Sequence, residues 1–181
     1  TGTDINGCIN TDQVLVTVNP LPTVNAGADQ AICIGQIVTL SGGGAATDTW
    51  TAPVQNSVSF APTATATYTA TGTDINGCVN TDQVVVTVNP LPTVNAGNDQ
   101  AICIGQSVTL TGGGAFTYTW PAPVQNGISF SPTATATYTL TGTSAAGCVN
   151  TDQVVVTVNP LPTVDAGLDQ TICIGQTVTL A

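Results

Sequence analysis

The sequence repeats itself with a period of 70 residues, and this repeat is the strongest constraint on the fold. The segment TGTDINGC at Thr1–Cys8 returns unchanged at Thr71–Cys78, and the related TGTSAAGC stands at Thr141–Cys148. Only thirteen of seventy positions differ between residues 22–91 and 92–161. A unit of this length is too long for one coil of a solenoid and is typical of a small autonomous domain.

Proline marks the boundaries between the repeats. The motif Asn-Pro-Leu-Pro recurs at three places: 19–22, 89–92 and 159–162. Proline cannot donate to a strand ladder and favours an extended polyproline geometry, so the motif predicts a short, stiff linker. Complete repeats are therefore expected at 22–91 and 92–161. Residues 1–21 are expected to be the C-terminal part of a preceding repeat, and residues 162–181 the N-terminal part of a following one.

Polar and apolar residues alternate within the repeat, which predicts β-strands rather than helices. In the first complete repeat, Val38 and Leu40 share one face of a strand, and Ala66, Tyr68 and Ala70 share one face of another. The expected strands, named A, B, C, a short unnamed one, F and G, lie at 23–32, 37–41, up to residue 50, near 58–60, at 65–73 and at 82–88. Six or seven short strands in about 70 residues predict an immunoglobulin-like sandwich.

The sequence also resembles a known kind of repeat. The strings PTVNAGADQAICIGQIVTLSGGG, TYTW, PTATATYTATGTDINGC and TDQVVVTVNP are similar to the tandem Ig-like/PKD-like repeats of giant type IX-secreted surface proteins of Bacteroidota, including gliding adhesins and filaments. The resemblance covers effectively the whole chain. It implies an all-β fold of tandem immunoglobulin-like (PKD-like) β-sandwich domains in a linear array, an extracellular place on a cell surface, and no active site. The acidic loops with which PKD modules bind calcium are not matched, so the resemblance implies no ligand.

The charged residues exclude several functions. The chain has ten acidic residues, no Lys, no Arg and no His, and a formal charge of −10. Nucleic acids and anionic membrane surfaces both recruit basic residues, so neither is expected as a partner. No apolar run approaches the length that crosses a bilayer, so direct membrane insertion is not expected. A Ser or Cys nucleophile lacks a neighbouring base, and the Asp residues stand in turn-like settings, so we expect no enzyme and no cofactor.

Six cysteines occupy two positions of the repeat. One follows strand A and the other follows the turn between strands F and G: Cys33, Cys103 and Cys173, and Cys8, Cys78 and Cys148. An even, periodic count in a secreted-looking chain predicts disulfides, which a small sandwich core needs for stability. Buried free thiols are the alternative, and a metal site is weaker because no Cys-x-x-Cys motif is present.

The pairing of the cysteines has two alternatives. A bond within a repeat would join Cys33 to Cys78, but the expected strand order places these at opposite ends of strand G, about 33 Å apart at ~3.3 Å per residue. A disulfide needs Cα atoms within about 7 Å. The end of one repeat faces the start of the next, so we predict a bond between repeats, Cys33 to Cys148. By the same rule, four cysteines have partners in neighbouring repeats: Cys8, Cys78, Cys103 and Cys173.

Three other features have both a functional and an ordinary interpretation. Asp74-Ile75-Asn76-Gly77, with Asp82, resembles part of a calcium loop, but a hairpin turn is favoured because the third copy of the motif has Ser144-Ala145-Ala146-Gly147. Gly42–Gly44 suggests a phosphate loop, yet no helix follows it, and a turn is favoured. Trp50 and Trp120 can stack on sugars, but one Trp on strand C is typical of a sandwich core.

These observations favour a structural repeat of an extracellular filament, stalk or adhesin on a bacterial cell surface. Its expected partners are neighbouring repeats of the same chain, other copies in a fibre, or an extracellular surface. The alternative is an array of carbohydrate- or protein-binding modules of a secreted enzyme, which would need an exposed aromatic platform. A passive spacer that holds a distal domain away from the cell is a third interpretation.

Overall fold

The computed structural model describes residues 1–179, which form β-strands and turns without a helix. The chain divides into two compact units, Thr1–Pro90 and Leu91–Ala181, called here the first and second unit. The strands of the first unit are β1 Gly2–Thr3, β2 Ile9–Asn10, β3 Gln30–Cys33, β4 Val38–Thr39, β5 Thr47–Trp50, β6 Ser59–Phe60, β7 Ala66–Thr73 and β8 Val79–Asn89. Those of the second are β9 Gln100–Cys103, β10 Val108–Thr109, β11 Thr117–Thr119, β12 Ser129–Phe130, β13 Ala136–Thr143 and β14 Val149–Asn159.

Each unit is an immunoglobulin-like sandwich. In the first unit, a four-stranded sheet has the order β3-β8-β7-β5, and β4 pairs with β6 in a second sheet. The second unit repeats this with β9-β14-β13-β11 and with β10 paired to β12. Adjacent strands are antiparallel except at one edge, where β3 runs parallel to β8 and β9 runs parallel to β14. The predicted all-β sandwich fold is therefore confirmed.

The core of each unit lies between its two sheets and follows the predicted alternation. In the first unit it contains Ala26, Val38, Leu40, Val54, Tyr68, Ala70, Val84 and Val86. Val38 and Leu40 on one sheet face Tyr68 and Ala70 on the other, as the sequence predicts. The second unit has Leu140 where the first has Ala70, and both side chains are fully buried. The two cores thus share a plan and differ in volume.

Strand A differs from the expectation of one continuous strand at 23–32. The chain instead makes an isolated antiparallel bridge from Asn25 to Gly43, which follows β4 in the sequence, and then crosses to pair with β8 through β3. The crossing occurs at Gly27, whose φ of +86° is a left-handed conformation that glycine adopts without strain. Its N–H donates to Asn25 Oδ1 at 2.8 Å. The local turn therefore outweighs the propensity for an extended strand.

Strand G is longer than predicted, because β8 begins at Val79 rather than at residue 82. It pairs with β7 along eight residues, from Ala66 opposite Val86 to Thr73 opposite Val79. Val84 and Val86 of this strand are buried in the core of the first unit, as Val154 and Val156 are in the core of the second.

Candidate functional site: the cysteines at the ends of each repeat

Cys33 lies where the chain leaves the first unit. It ends β3, and its partner in the parallel ladder is Asn89, the last residue of β8. The N–H of Ile34 donates to the carbonyl oxygen of Asn89 at 2.9 Å, and Asn89 Nδ2 donates to the carbonyl of Ile32 at 3.3 Å. These contacts hold Cys33 beside the residue that precedes Pro90, which is the start of the connection to the second unit.

Cys148 lies where the chain enters the second unit. It stands immediately before Val149, the first residue of β14, and its side chain is fully buried. One residue into that strand, Asn150 Nδ2 donates to the carbonyl of Pro92 at 3.0 Å. The first unit repeats this contact between Asn80 and Pro22 at 2.9 Å. An asparagine of the last strand therefore ties the incoming chain beside the cysteine of the F–G turn.

Within one unit, the two cysteines lie at opposite ends of the last strand. Cys33 is level with Asn89 at one end of β8, and Cys78 precedes Val79 at the other. Ten residue steps of extended strand separate these ends, which corresponds to about 33 Å. The second unit has the same arrangement, with Cys103 level with Asn159. A bond within a repeat would require Cα atoms about five times closer than this.

The cysteines also differ in oxidation state. Cys33 and Cys148 are disulfide-bonded. The free cysteines are Cys8, Cys78, Cys103 and Cys173. The alternative of buried free thiols throughout is thus wrong, since the chain contains disulfide sulfur. That Cys33 and Cys148 are bonded to each other stays a prediction at this point.

The turn before each F–G cysteine is organised by a side chain whose role the sequence analysis missed. Asp74 Oδ1 accepts the N–H groups of Asn76 and Cys78, both at 2.8 Å. The hydrogen bond from Cys78, followed by those from Asn76 and Gly77, holds the pKa of Asp74 below its ordinary value. In the second unit, Ser144 Oγ accepts the N–H of Cys148 at 3.1 Å. An Asp or Ser four residues before the cysteine is the signal that identifies this role.

The calcium interpretation of this turn receives no support from Asp82. Asp82 lies three residues into β8, about 10 Å along the strand from its start. Its Oδ2 accepts the N–H of Ala26 at 2.8 Å, so it ties the crossing segment of strand A to strand G. Across residues 1–179, no group of three or more metal-ligating side chains is found. The carboxylates of Asp74 and Asp82 thus both accept hydrogen bonds from backbone N–H groups.

The tryptophans and the glycine-rich segment serve the sandwich itself. Trp120 is buried, and its Nε1 donates to Asn126 Oδ1 at 3.0 Å, while Trp50 is half-buried and donates to Asn56 Oδ1 at 3.2 Å. Both rings pack against the core. A Cβ on Gly44 would lie 1.8 Å from the carbonyl oxygen of Thr23, so this glycine permits close approach of strand A.

No family model and no curated protein matches the sequence. Several solved structures have a similar fold at low sequence identity to this chain. The insect immune protein hemolin is 16% identical, with 82% of this chain and 49% of that chain covered and a TM-score of 0.43. The two-domain DIP-gamma IG1+IG2 structure is 14% identical over 77% of this chain and 98% of that one, with a TM-score of 0.37.

The eight N-terminal Ig domains of Down Syndrome Cell Adhesion Molecule are 18% identical, with 78% of this chain and 28% of that chain covered and a TM-score of 0.33. The chain thus spans about half the length of hemolin and less of the eight-domain protein. The assignment of the fold rests on the strand order and on the two cores between the sheets. Among the described residues, no helix is long and apolar enough to cross a membrane.

Proposed function

We propose that the chain is a structural repeat segment of an extracellular filament, stalk or adhesin, in which successive repeats are joined by disulfides. The bond between Cys33 and Cys148 is one of these. The repeats occupy 22–91 and 92–161, and the residues on either side belong to neighbouring repeats. The resemblance of the sequence to giant type IX-secreted proteins supports a bacterial cell surface as the location that we propose for such a fibre.

The observation that carries the proposal is the position of the two disulfide-bonded cysteines. Cys33 is level with Asn89, the last residue before the connection, and Cys148 is two residues from Asn150, which holds Pro92, the first residue after it. Only Pro90 and Leu91 lie between these points. Three residue steps span at most about 11 Å. The connection therefore leads from the end of the first unit that carries Cys33 to the end of the second unit that carries Cys148, whereas the two cysteines of one repeat lie at opposite ends of it, about 33 Å apart.

The positions of the free cysteines in the sequence support the same rule, by which a cysteine after strand A pairs with the F–G cysteine of the next repeat. Cys33 and Cys148 are 115 residues apart. No other pair that joins a cysteine after strand A to an F–G cysteine of the next repeat lies within the 181 residues. The partners of Cys103 and Cys173 would follow residue 181, and those of Cys8 and Cys78 would precede residue 1. The rule that we propose therefore pairs Cys33 with Cys148 and gives the other four cysteines partners in neighbouring repeats.

The bond also favours an extracellular location. Two thiols become one disulfide by losing two protons and two electrons, which a thiol–disulfide oxidant must accept. Such bonds persist in secreted proteins and are rare where glutathione and thioredoxin keep thiols reduced. A stable Cys33–Cys148 bond therefore accords with a secreted chain.

The alternative of a carbohydrate-binding array has less support. Both indole rings pack against the cores and donate their N–H groups to asparagines. Phe116 is a 75% exposed ring, but the equivalent position of the first unit is Ala46. A binding platform repeated along the array would need an aromatic residue in every repeat. The stalk, filament or adhesin is therefore the function that we propose.

Peptide mapping without reduction tests the pairing. Free thiols of the oxidised chain are alkylated, and the protein is digested with pepsin at low pH, where thiol–disulfide exchange is slow because thiolate is scarce. Trypsin is unsuitable, since the chain has no Lys or Arg. We expect one joined peptide pair, Cys33 with Cys148, and four alkylated cysteines. Flanking residues identify each site: Ile37 marks the peptide of Cys33, Ser107 that of Cys103, and Ala146 that of Cys148.

Two variants sharpen the mapping. Cys33→Ser should leave Cys148 alkylated, whereas the matched Cys78→Ser should leave the joined pair intact. A peptide that joins Cys33 to Cys78, or six alkylated cysteines in the oxidised protein, would refute the proposed disulfide between repeats.

A further inference from the structure

We propose that the disulfides divide the chain into two covalent tracks that bear tension, while the rest of each sandwich bears none. This inference rests on the proposed function, because it needs the Cys33–Cys148 bond. It adds a mechanical property that the bond alone does not state: an array that does not lengthen by unfolding its domains.

The tracks follow from the position of the bond in the sequence. The first track runs along residues 1–33, crosses the disulfide to Cys148, and continues along 148–181. The second runs from Cys78 through residues 79–102 to Cys103, and each end continues into a neighbouring repeat by the same rule. In the first unit, β3 belongs to the first track and β8 to the second. In the second unit the assignment is exchanged, because β14 belongs to the first track and β9 to the second.

The parallel edge of the sheet holds the two tracks side by side. β3 and β8 are parallel, with Gln30 opposite Val86 and Cys33 opposite Asn89, so both tracks run from the start of the unit to its end. Tension therefore acts in the same direction on both strands. Two carboxylates add cross-links between the tracks. Asp29 Oδ1 accepts the N–H of Val85, and Asp82 Oδ2 accepts the N–H of Ala26, each at 2.8 Å.

The residues of each track can lengthen only slightly under tension. Of the 25 residues from Val79 to Cys103, fifteen are already extended in β8 and β9. The ten residues between them, 90–99, span at most about 35 Å when straight. A repeat of 70 residues without the bond would reach about 240 Å when unfolded and straight. The chains that connect the two tracks, 34–77 and 104–147, lie outside the shorter covalent route and form the unloaded bodies of the sandwiches.

Single-molecule extension of this chain, held at residues 1 and 181, tests the inference. With the bond intact, the covalent route contains residues 1–33 and 148–181, which are 67 residues or about 230 Å. Reductant is then added under constant load, which frees residues 34–147, 114 residues or about 400 Å. If the bodies stayed folded, this length appears in two discrete later steps, one for each unit. If they had already unfolded, it appears at once when the bond breaks.

The two failures are distinguishable. If the joined peptide is absent from the map, the Cys33–Cys148 disulfide is refuted, and the two tracks with it. If the joined peptide is present but all 114 residues extend in a single step, the disulfide stands and the claim that the bodies of the sandwiches bear no load is refuted. Cys33→Ser is the matched control, which should extend to 181 residues in unfolding steps without reductant. Cys78→Ser should behave as the unsubstituted chain, and loss of the 67-residue limit in that variant would contradict the assignment of the tracks.

Discussion

Ala26 and Asp82, 56 residues apart in the sequence, are joined by a 2.8 Å hydrogen bond from the backbone N–H of Ala26 to Asp82 Oδ2. Ala96 and Asp152 make the same bond in the second unit. Ala26 is only 1% exposed, so its N–H has little access to water and needs a partner. The bond fixes strand A at the point where it crosses from one sheet to the other, beside the strand that ends at the linker.

We expect the protein to lose stability in acid, because protonation of Asp82 weakens this hydrogen bond. The hydrogen bond from Ala26, and then that from Gln83, holds the pKa of Asp82 below its ordinary value of 3.8, and Ala96 and Gln153 do the same for Asp152. The folded state thus binds the proton more weakly than the unfolded state. The resulting stability is fully present above 3.8 and is lost as pH falls through the lowered pKa.

Thermal melting followed by circular dichroism between pH 2 and 7 measures the effect. The melting temperature should fall below about pH 4, where unperturbed Asp side chains become protonated. The double variant Asp82→Asn, Asp152→Asn should melt lower at neutral pH and show a shallower acid slope. Asp4 and Asp74 also have lowered pKa values, so part of the slope should remain. An unchanged slope in the double variant would contradict the assignment.

Asn126 should matter more than its counterpart Asn56. Asn126 Oδ1 accepts the N–H of Gly112 at 2.6 Å and Nε1–H of the buried Trp120. Asn126→Ala leaves two donors unpaired and should lower the free energy of unfolding by about 2 kcal/mol. Asn56→Ala should cost about half as much, because Trp50 is half-buried and water can replace the lost acceptor. Denaturant titrations of the oxidised variants, with the tryptophan fluorescence of each unit, compare them, and equal losses would contradict this difference.

Calcium should not affect folding. Asp74 Oδ1 is already engaged by two backbone N–H groups, and the second unit forms the equivalent turn with Ser144. Melting scans with a chelator and with excess calcium should therefore coincide. Asp74→Ser, which copies the turn of the second unit, should remain folded in both conditions. A calcium-dependent rise in the melting temperature would indicate a bound ion, since a ligand that binds the folded state stabilises it.

Much of the sandwich can be predicted from the sequence because its strands alternate strictly. Val38, Leu40, Tyr68 and Ala70 are inward on the sequence pattern and buried in the structure. The prediction of one continuous strand A at 23–32 is wrong. Asn25 and Gly27 are compatible with an extended strand, but in the structure the N–H of Gly27 donates to Asn25 Oδ1 and forms a turn. The turn depends on a side chain accepting a nearby backbone N–H, which competes with the ladder and leaves little trace in hydrophobic periodicity. The role of Asp82 is missed because its partner lies 56 residues away.

The sequence by itself determined the period, the all-β class and the two cysteine positions, since repetition, alternation and residue chemistry are local properties of the chain. Only the tertiary structure decided that β3 runs parallel to β8, an edge pairing that sets Cys33 beside Asn89, at the end of strand G where the expected strand order predicts it. Hydrophobic alternation specifies which face of a strand is buried, but either direction of pairing buries the same face. The choice between them comes from the sandwich as a whole, through the crossing at Gly27 and the carboxylate bonds that tie strand A to strand G.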